Sequence, residues 1–135
     1  MGKEFVPYEL ALKLRELGFG NKRLDFYLGC FAYYGNEASN LKSKLIPNNI
    51  MRKHSKFNYS EFIMAPLWQQ AFDWFHKEHN LFAEFSFNTL RNKYDWCIPV
   101  NINKGYCSQE EYNTYEEARL ECLKKLIEII ENEKL

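Results

Sequence analysis

The sequence predicts an α+β fold: a small antiparallel sheet of three to five strands packed by two or three helices, in the order helix, strand, a further strand, helix, strand, strand, helix. Three observations carry this. Apolar residues recur at helical spacing near both ends of the chain and once in the middle, ring-rich segments between them alternate apolar with polar residues, and Pro, Gly and Asn punctuate the junctions. At 135 residues and 16.2 kDa the chain has the usual size of one domain, so a single core is expected over residues 1–135. Eleven Phe, nine Tyr and three Trp stand against only two valines, Val6 and Val100, which leaves rings, Leu and Ile to build that core.

The first helix spans about residues 7 to 17. Pro7 suits a first helical position, Leu10, Leu14 and Leu17 recur at i, i+4 and i+7, and Gly18 supplies a left-handed stop. Phe26 to Tyr34, FYLGCFAYY, reads as a strand whose Gly29 and Ala32 admit close packing over it. Residues 36–60 are rich in Asn and Ser, carry Pro47 and lack steady periodicity, which makes them a long excursion holding at most a short strand or helical turn. A further strand is predicted from Phe57 to Met64, leading to a second proline-led helix start at Ala65-Pro66.

In PLWQQAFDWFHKEHN, residues 100° apart bring Trp68, Ala71, Phe72, Phe75 and His79 onto one stripe, with Asn80 to end the helix. LFAEFSF and YDWCIPV then alternate at period two and predict a hairpin through NTLRNK. Pro99 lacks a donor, so its strand should lie at an edge or end. The last helix opens on Thr114 and Glu117, a capping-box spacing, and buries Tyr115, Ala118, Cys122, Leu126 and Ile129, flanked by Leu123, Ile127 and Ile130.

The formal net charge is zero, which argues against coating nucleic acid or membranes by bulk charge. By position the zero is a cancellation: residues 1–60 hold ten basic and five acidic residues, and 61–135 hold eight and thirteen. Between Glu37 and Glu61 lie Lys42, Lys44, Arg52, Lys53 and Lys56, with His54 and no acid, followed by Phe57 and Tyr59. Such a segment suits a phosphate-bearing partner whose bases can stack. The final helix offers the opposite sign at Glu116, Glu117 and Glu121, suited to a basic groove.

No phosphate-binding loop, dinucleotide fingerprint, HExxH or GxSxG sequence occurs, so an enzyme is not expected, nor a cofactor. His76 and His79 diverge by about 60° on a helix and gain no third ligand nearby, so no metal is expected either. Cys30, Cys97, Cys107 and Cys122 form no CxxC pair and read as reduced, mostly buried small hydrophobes. A thiol enzyme using Cys30, Cys97 or Cys107 with a histidine would be revealed by alkylation. The N-terminus MGKEFVPYEL lacks a signal-peptide core and no apolar run is long enough to span a bilayer, so a cytoplasmic location without membrane contact is expected. Gln69, Gln70 and Trp74 combine a large ring with amides, the composition of a binding anchor, while core packing is the commoner fate of such a ring.

The stretches FVPYELALKLRELGF, CFAYYG, APLWQQAFDWFHKEHNLF and TYEEARLECLKKLIEII resemble a group of small proteins of Bacteroidota and their phages and prophages. AP-LWQQAFDWF and the closing YEEA helix are the most specific part, and residues 36–60 are not covered. This resemblance implies an accessory domain of mobile-element origin, with no catalytic residue to carry over. In size, Asn- and Lys-rich composition and source, the chain is similar to the anti-CRISPR family acting on type VI-B RNA-guided, RNA-cleaving effectors. That implies a non-enzymatic inhibitor located in the bacterial host cell, whose partner is a host CRISPR effector nucleoprotein or its guide RNA. The alternative is an RNA- or DNA-binding accessory module using the basic 42–59 segment. From Leu67 onward the element order also resembles a double-stranded-RNA-binding domain. Glu116 and Glu117, however, stand where that family carries RNA-binding lysines.

Overall fold

The computed structural model describes residues 4–19, 31–34, 44–47 and 62–133. These contain α1 (Tyr8–Glu16), β1 (Phe31–Tyr34), β2 (Lys44–Pro47), β3 (Phe62–Ala65), α2 (Trp68–His79), β4 (Glu84–Asn88), β5 (Lys93–Asn101), β6 (Lys104–Cys107) and α3 (Tyr115–Glu133). The class is α+β with antiparallel pairing, as predicted. The six strands form two three-stranded sheets, ordered β2-β1-β3 and β4-β5-β6, where the alternation had suggested one. Period-two alternation marks a strand but carries no information about its partner. The chain gathers into two compact units, Met1–Ala71 and Phe72–Leu135, with the junction inside α2.

In the first unit, β1 is central: Tyr33 lies opposite Leu45 on one side and Ile63 on the other. The predicted strand from Phe26 is described only from Phe31, and of the 36–60 excursion only β2 is described. Helix α1 packs against β3. Its start is fixed by the preceding residues, because the Val6 N–H donates to the Pro66 carbonyl at 2.9 Å and Phe5 forms a bridge with Leu67. Pro7 sits one position earlier than predicted, as the N-cap, with its carbonyl accepting from the Ala11 N–H at 2.9 Å. At the other end Gly18 adopts φ 110°, while Gly18 N–H donates to Arg15 and Phe19 N–H to Leu14. Those two bonds make a Schellman stop, and the left-handed φ explains the glycine. Val6, Leu10, Ala11, Leu14, Ala65, Pro66, Trp68 and Ala71 are buried.

Helix α2 begins with Gln70 Oε1 accepting the Leu67 N–H at 2.8 Å, a side chain reaching back to a backbone donor that the helix would otherwise leave without a partner. It ends at Asn80, whose φ of 55° is tolerated because a short amide side chain suits the left-handed region.

In the second unit β4, β5 and β6 follow one another as a meander. Asn88 Oδ1 accepts from the Leu90 and Arg91 N–H groups in the first turn, and Asn101 Oδ1 from the Asn103 N–H in the second. On one face Phe85 is opposite Trp96, Phe87 opposite Tyr94 and Ile98 opposite Tyr106. Helix α3 packs against β5 through buried Ala118, Cys122, Leu123, Leu126, Ile127, Ile129 and Ile130. The predicted stripe is complete except for Tyr115, which keeps 38% of its surface exposed.

Pro99 lies in β5, the central strand, yet the proline rule holds locally. Ser108 N–H donates to the Trp96 carbonyl, so the Trp96 backbone faces the β6 side, and that of Cys97 and Pro99 faces β4. The β4 ladder ends at the Glu84–Cys97 pair, before Pro99 is reached.

Candidate functional site

The charged residues singled out by the sequence divide sharply. Lys42, Arg52, Lys53, Lys56, Phe57 and Tyr59 lie outside the described residues, as does Cys30. Lys44 opens β2, opposite Tyr34 on β1. The acidic set lies on α3. There, Thr114 Oγ1 accepts the Glu117 N–H at 3.2 Å and holds the first turn, the forward half of the predicted capping box. Glu116 and Glu117 are exposed on that turn, and their carboxylates make no hydrogen bond or ion pair among the described residues. Glu121, one turn on, is instead paired with Lys124 at 3.2 Å. Just ahead of the helix, Glu111 is held by Arg91 at 2.6 Å and Lys93 Nζ donates to Asn113 Oδ1. The Arg119 guanidinium stands over the Tyr115 ring, 5.8 Å from its centroid.

The loop bearing these groups is tied to the sheet. Tyr94 and Tyr112 exchange two backbone hydrogen bonds of 2.8 Å, which continues the β5 ladder beyond β6 to the start of α3. The carboxylates of Glu116 and Glu117 therefore stand on a turn whose opposite side, beginning with Ala118, is buried. Negative charge there also suits the positive end of the helix. The arrangement leaves two adjacent carboxylates exposed on the first turn of the helix.

His76 and His79 are each engaged by rings. His76 meets Phe82 at 5.1 Å between centroids, and His79 meets Trp74 at 4.9 Å. Among the described residues no group of three or more His, Cys, Asp or Glu is placed to hold a metal ion. Gln70 serves the α2 start, and Trp74 is half-buried beside Phe75. No helix among the described residues is long and apolar enough to cross a membrane.

The cysteines depart from expectation. Of those described, only Cys122 is buried, while Cys97 is half-buried and Cys107 exposed. Cys97 lies opposite Cys107 across β5 and β6, with the two sulfurs 2.7 Å apart. The Cys97 thiol is pushed up to about 11, first by its hydrogen bond with Cys107, then by burial and by the charges of Cys107, Asp95 and Glu84. A motif search misses this pair because the residues are ten apart in sequence. The signal was the alternation of YDWCIPV, which sends Cys97 to the face opposite Trp96 and Ile98, combined with a hairpin turn centred near Ile102.

Compared with protein-family models, curated proteins and solved structures, the chain has no match.

Proposed function

We propose that this chain is a non-enzymatic inhibitor, encoded by a phage or prophage, that binds a type VI-B CRISPR effector or its guide-RNA complex through the acidic start of α3. The single observation that supports the binding mode is the exposed, unengaged pair Glu116 and Glu117 on a helix anchored by its buried face. The sequence resemblance supports the class of target. An RNA-guided nuclease holds its nucleic acids in basic channels, and a rigid acidic surface is complementary to such a channel. Complementarity of this kind speeds association and selects the partner. The same carboxylates repel phosphate, so this face is suited to protein rather than to bare RNA.

The test is to express the chain with a type VI-B effector, its guide and a target transcript, and to measure target cleavage. Cleavage is expected to fall with the parent chain and to recover with the Glu116→Gln/Glu117→Gln double variant, which keeps the Thr114 cap. Binding of the variant should show a slower on-rate and a weaker dependence on salt. Undiminished cleavage across several type VI-B effectors overturns the reading. Tight, salt-sensitive binding of the isolated chain to free RNA would replace it with the nucleic-acid-binding alternative.

A further inference from the structure

We propose that Cys97 and Cys107 are a reversible dithiol–disulfide couple, oxidised by low-molecular-weight disulfides such as glutathione disulfide, which cross-links β5 to β6 on the open face of the second sheet. The proposal is independent of the inhibitor reading and rests on the placement of the pair.

Register comes first. Cys97 and Cys107 are directly opposed, and their pair is the kind without backbone hydrogen bonds, since the neighbouring Trp96 carbonyl takes the bond from Ser108. Pairs of that kind bring their Cα atoms to about 4.5 Å, inside the span a disulfide bridges. Both side chains leave the sheet on the same face, and their sulfurs already stand 2.7 Å apart, so no backbone movement is required. Access comes next. The covered face of the sheet is the other one, where Trp96 and Ile98 are buried, while Cys107 is exposed to an incoming oxidant. Glu84 and Asp95 are near enough to act on Cys97 through their charges, yet no third ligand completes a metal set among the described residues.

The exchange proceeds in two balanced steps. The Cys107 thiolate attacks one sulfur of the small disulfide, forming a mixed disulfide and releasing one small thiolate. Cys97 then loses its proton and attacks the Cys107 sulfur; the Cys97–Cys107 bond forms and the second small thiolate leaves. The two protein thiols give up two protons and two electrons, and the small disulfide is reduced to two thiols. Before the first step Cys97 is held as a thiol largely by Cys107 itself, through the hydrogen bond and its charge. Capping Cys107 removes both influences, while burial and the charges of Asp95 and Glu84 remain, and the opposed register keeps the Cys107 sulfur beside Cys97 for the second step.

The test incubates the full chain in mixtures of reduced and oxidised glutathione, traps thiols by acid and alkylation, and maps the peptides without reduction. The expected product is a peptide linked through Cys97 and Cys107, lost on adding excess reduced glutathione. Cys97→Ser is expected to stop at a stable glutathione adduct on Cys107, and its circular dichroism spectrum verifies that it is folded. A parent chain that keeps both thiols, that accumulates the mixed disulfide, or that links either cysteine to Cys30 or Cys122 overturns the proposal.

Discussion

Phe72 on α2 and Phe85 on β4 meet edge to face, with ring centroids 5.5 Å apart and planes at 73°, and Phe85 also meets Tyr115 of α3 at 5.2 Å. One strand residue thereby joins the helix before the sheet to the helix after it. Edge-to-face pairs add about 0.5–1.5 kcal/mol beyond the area they bury. A double-mutant cycle of Phe72→Leu and Phe85→Leu, read by urea unfolding, is expected to give a coupling of about 1 kcal/mol. Strict additivity would show that the rings are merely neighbours.

The cap of α3 gives a second prediction. Thr114→Ala removes the acceptor of the Glu117 N–H and is expected to cost about 1 kcal/mol, while Thr114→Ser retains the oxygen and most of the stability. Urea midpoints of the three proteins decide it, and equal midpoints for Ala and Ser would contradict it.

Gly105 supplies a third. A Cβ there would stand 3.2 Å from the Ile98 carbonyl oxygen and 3.3 Å from the Pro99 Cα. Both neighbours are backbone atoms of the central strand and cannot swing away like a side chain. Gly105→Ala is therefore expected to destabilise by about 1 kcal/mol, outweighing the entropy that the substitution normally saves. A raised melting temperature would contradict it.

The buried thiol of Cys122 sets a pH dependence. Burial, followed by the charge of Cys97, pushes it from an ordinary value of 9.0 up to about 12. Between these values the unfolded chain releases the proton while the folded chain keeps it. The contribution is level below about pH 9, and stability then falls as pH rises toward 12, by at most about 1.4 kcal/mol per pH unit. Cys122→Ala should be less stable at neutral pH through lost packing, yet lose less on going from about pH 8 to about pH 10. Parallel losses in the two proteins, measured by urea unfolding, would contradict the assignment.

How far the sequence reached depended on the kind of information each feature carries. The α3 stripe from Ala118 to Ile130, the α1 stop at Gly18 and the α2 stop at Asn80 were legible because each is local: a 3.6-residue period, or one residue suited to a left-handed φ. Tyr115 was placed in the core because a wheel assigns a face and not a depth: its ring does meet Phe85 and Tyr94 of the sheet, yet keeps 38% of its surface exposed. The division of strands between two sheets was not legible, since pairing is a non-local choice. Exposure of Glu116 and Glu117 followed from helical phase. The pairing of Glu121 with Lys124 depended on rotamers that spacing alone does not fix. The cysteine pair fell between these cases, its phase visible at Cys97 and its partner set by a turn whose register was not fixed in advance.

Pro99 bears on whether the margin of β5 can pair with a further strand. Among the described residues, β5 runs on past the last β4 pair with a strand neighbour on one side only, and an uncovered strand margin is a template on which another chain can add. The first open position on that margin is Pro99, which has no N–H to offer, and the register shift between Pro99 and Asn101 then bends the strand away from a straight ladder. The hairpin can thus extend its longest strand beyond its shorter neighbour without inviting edge-to-edge aggregation.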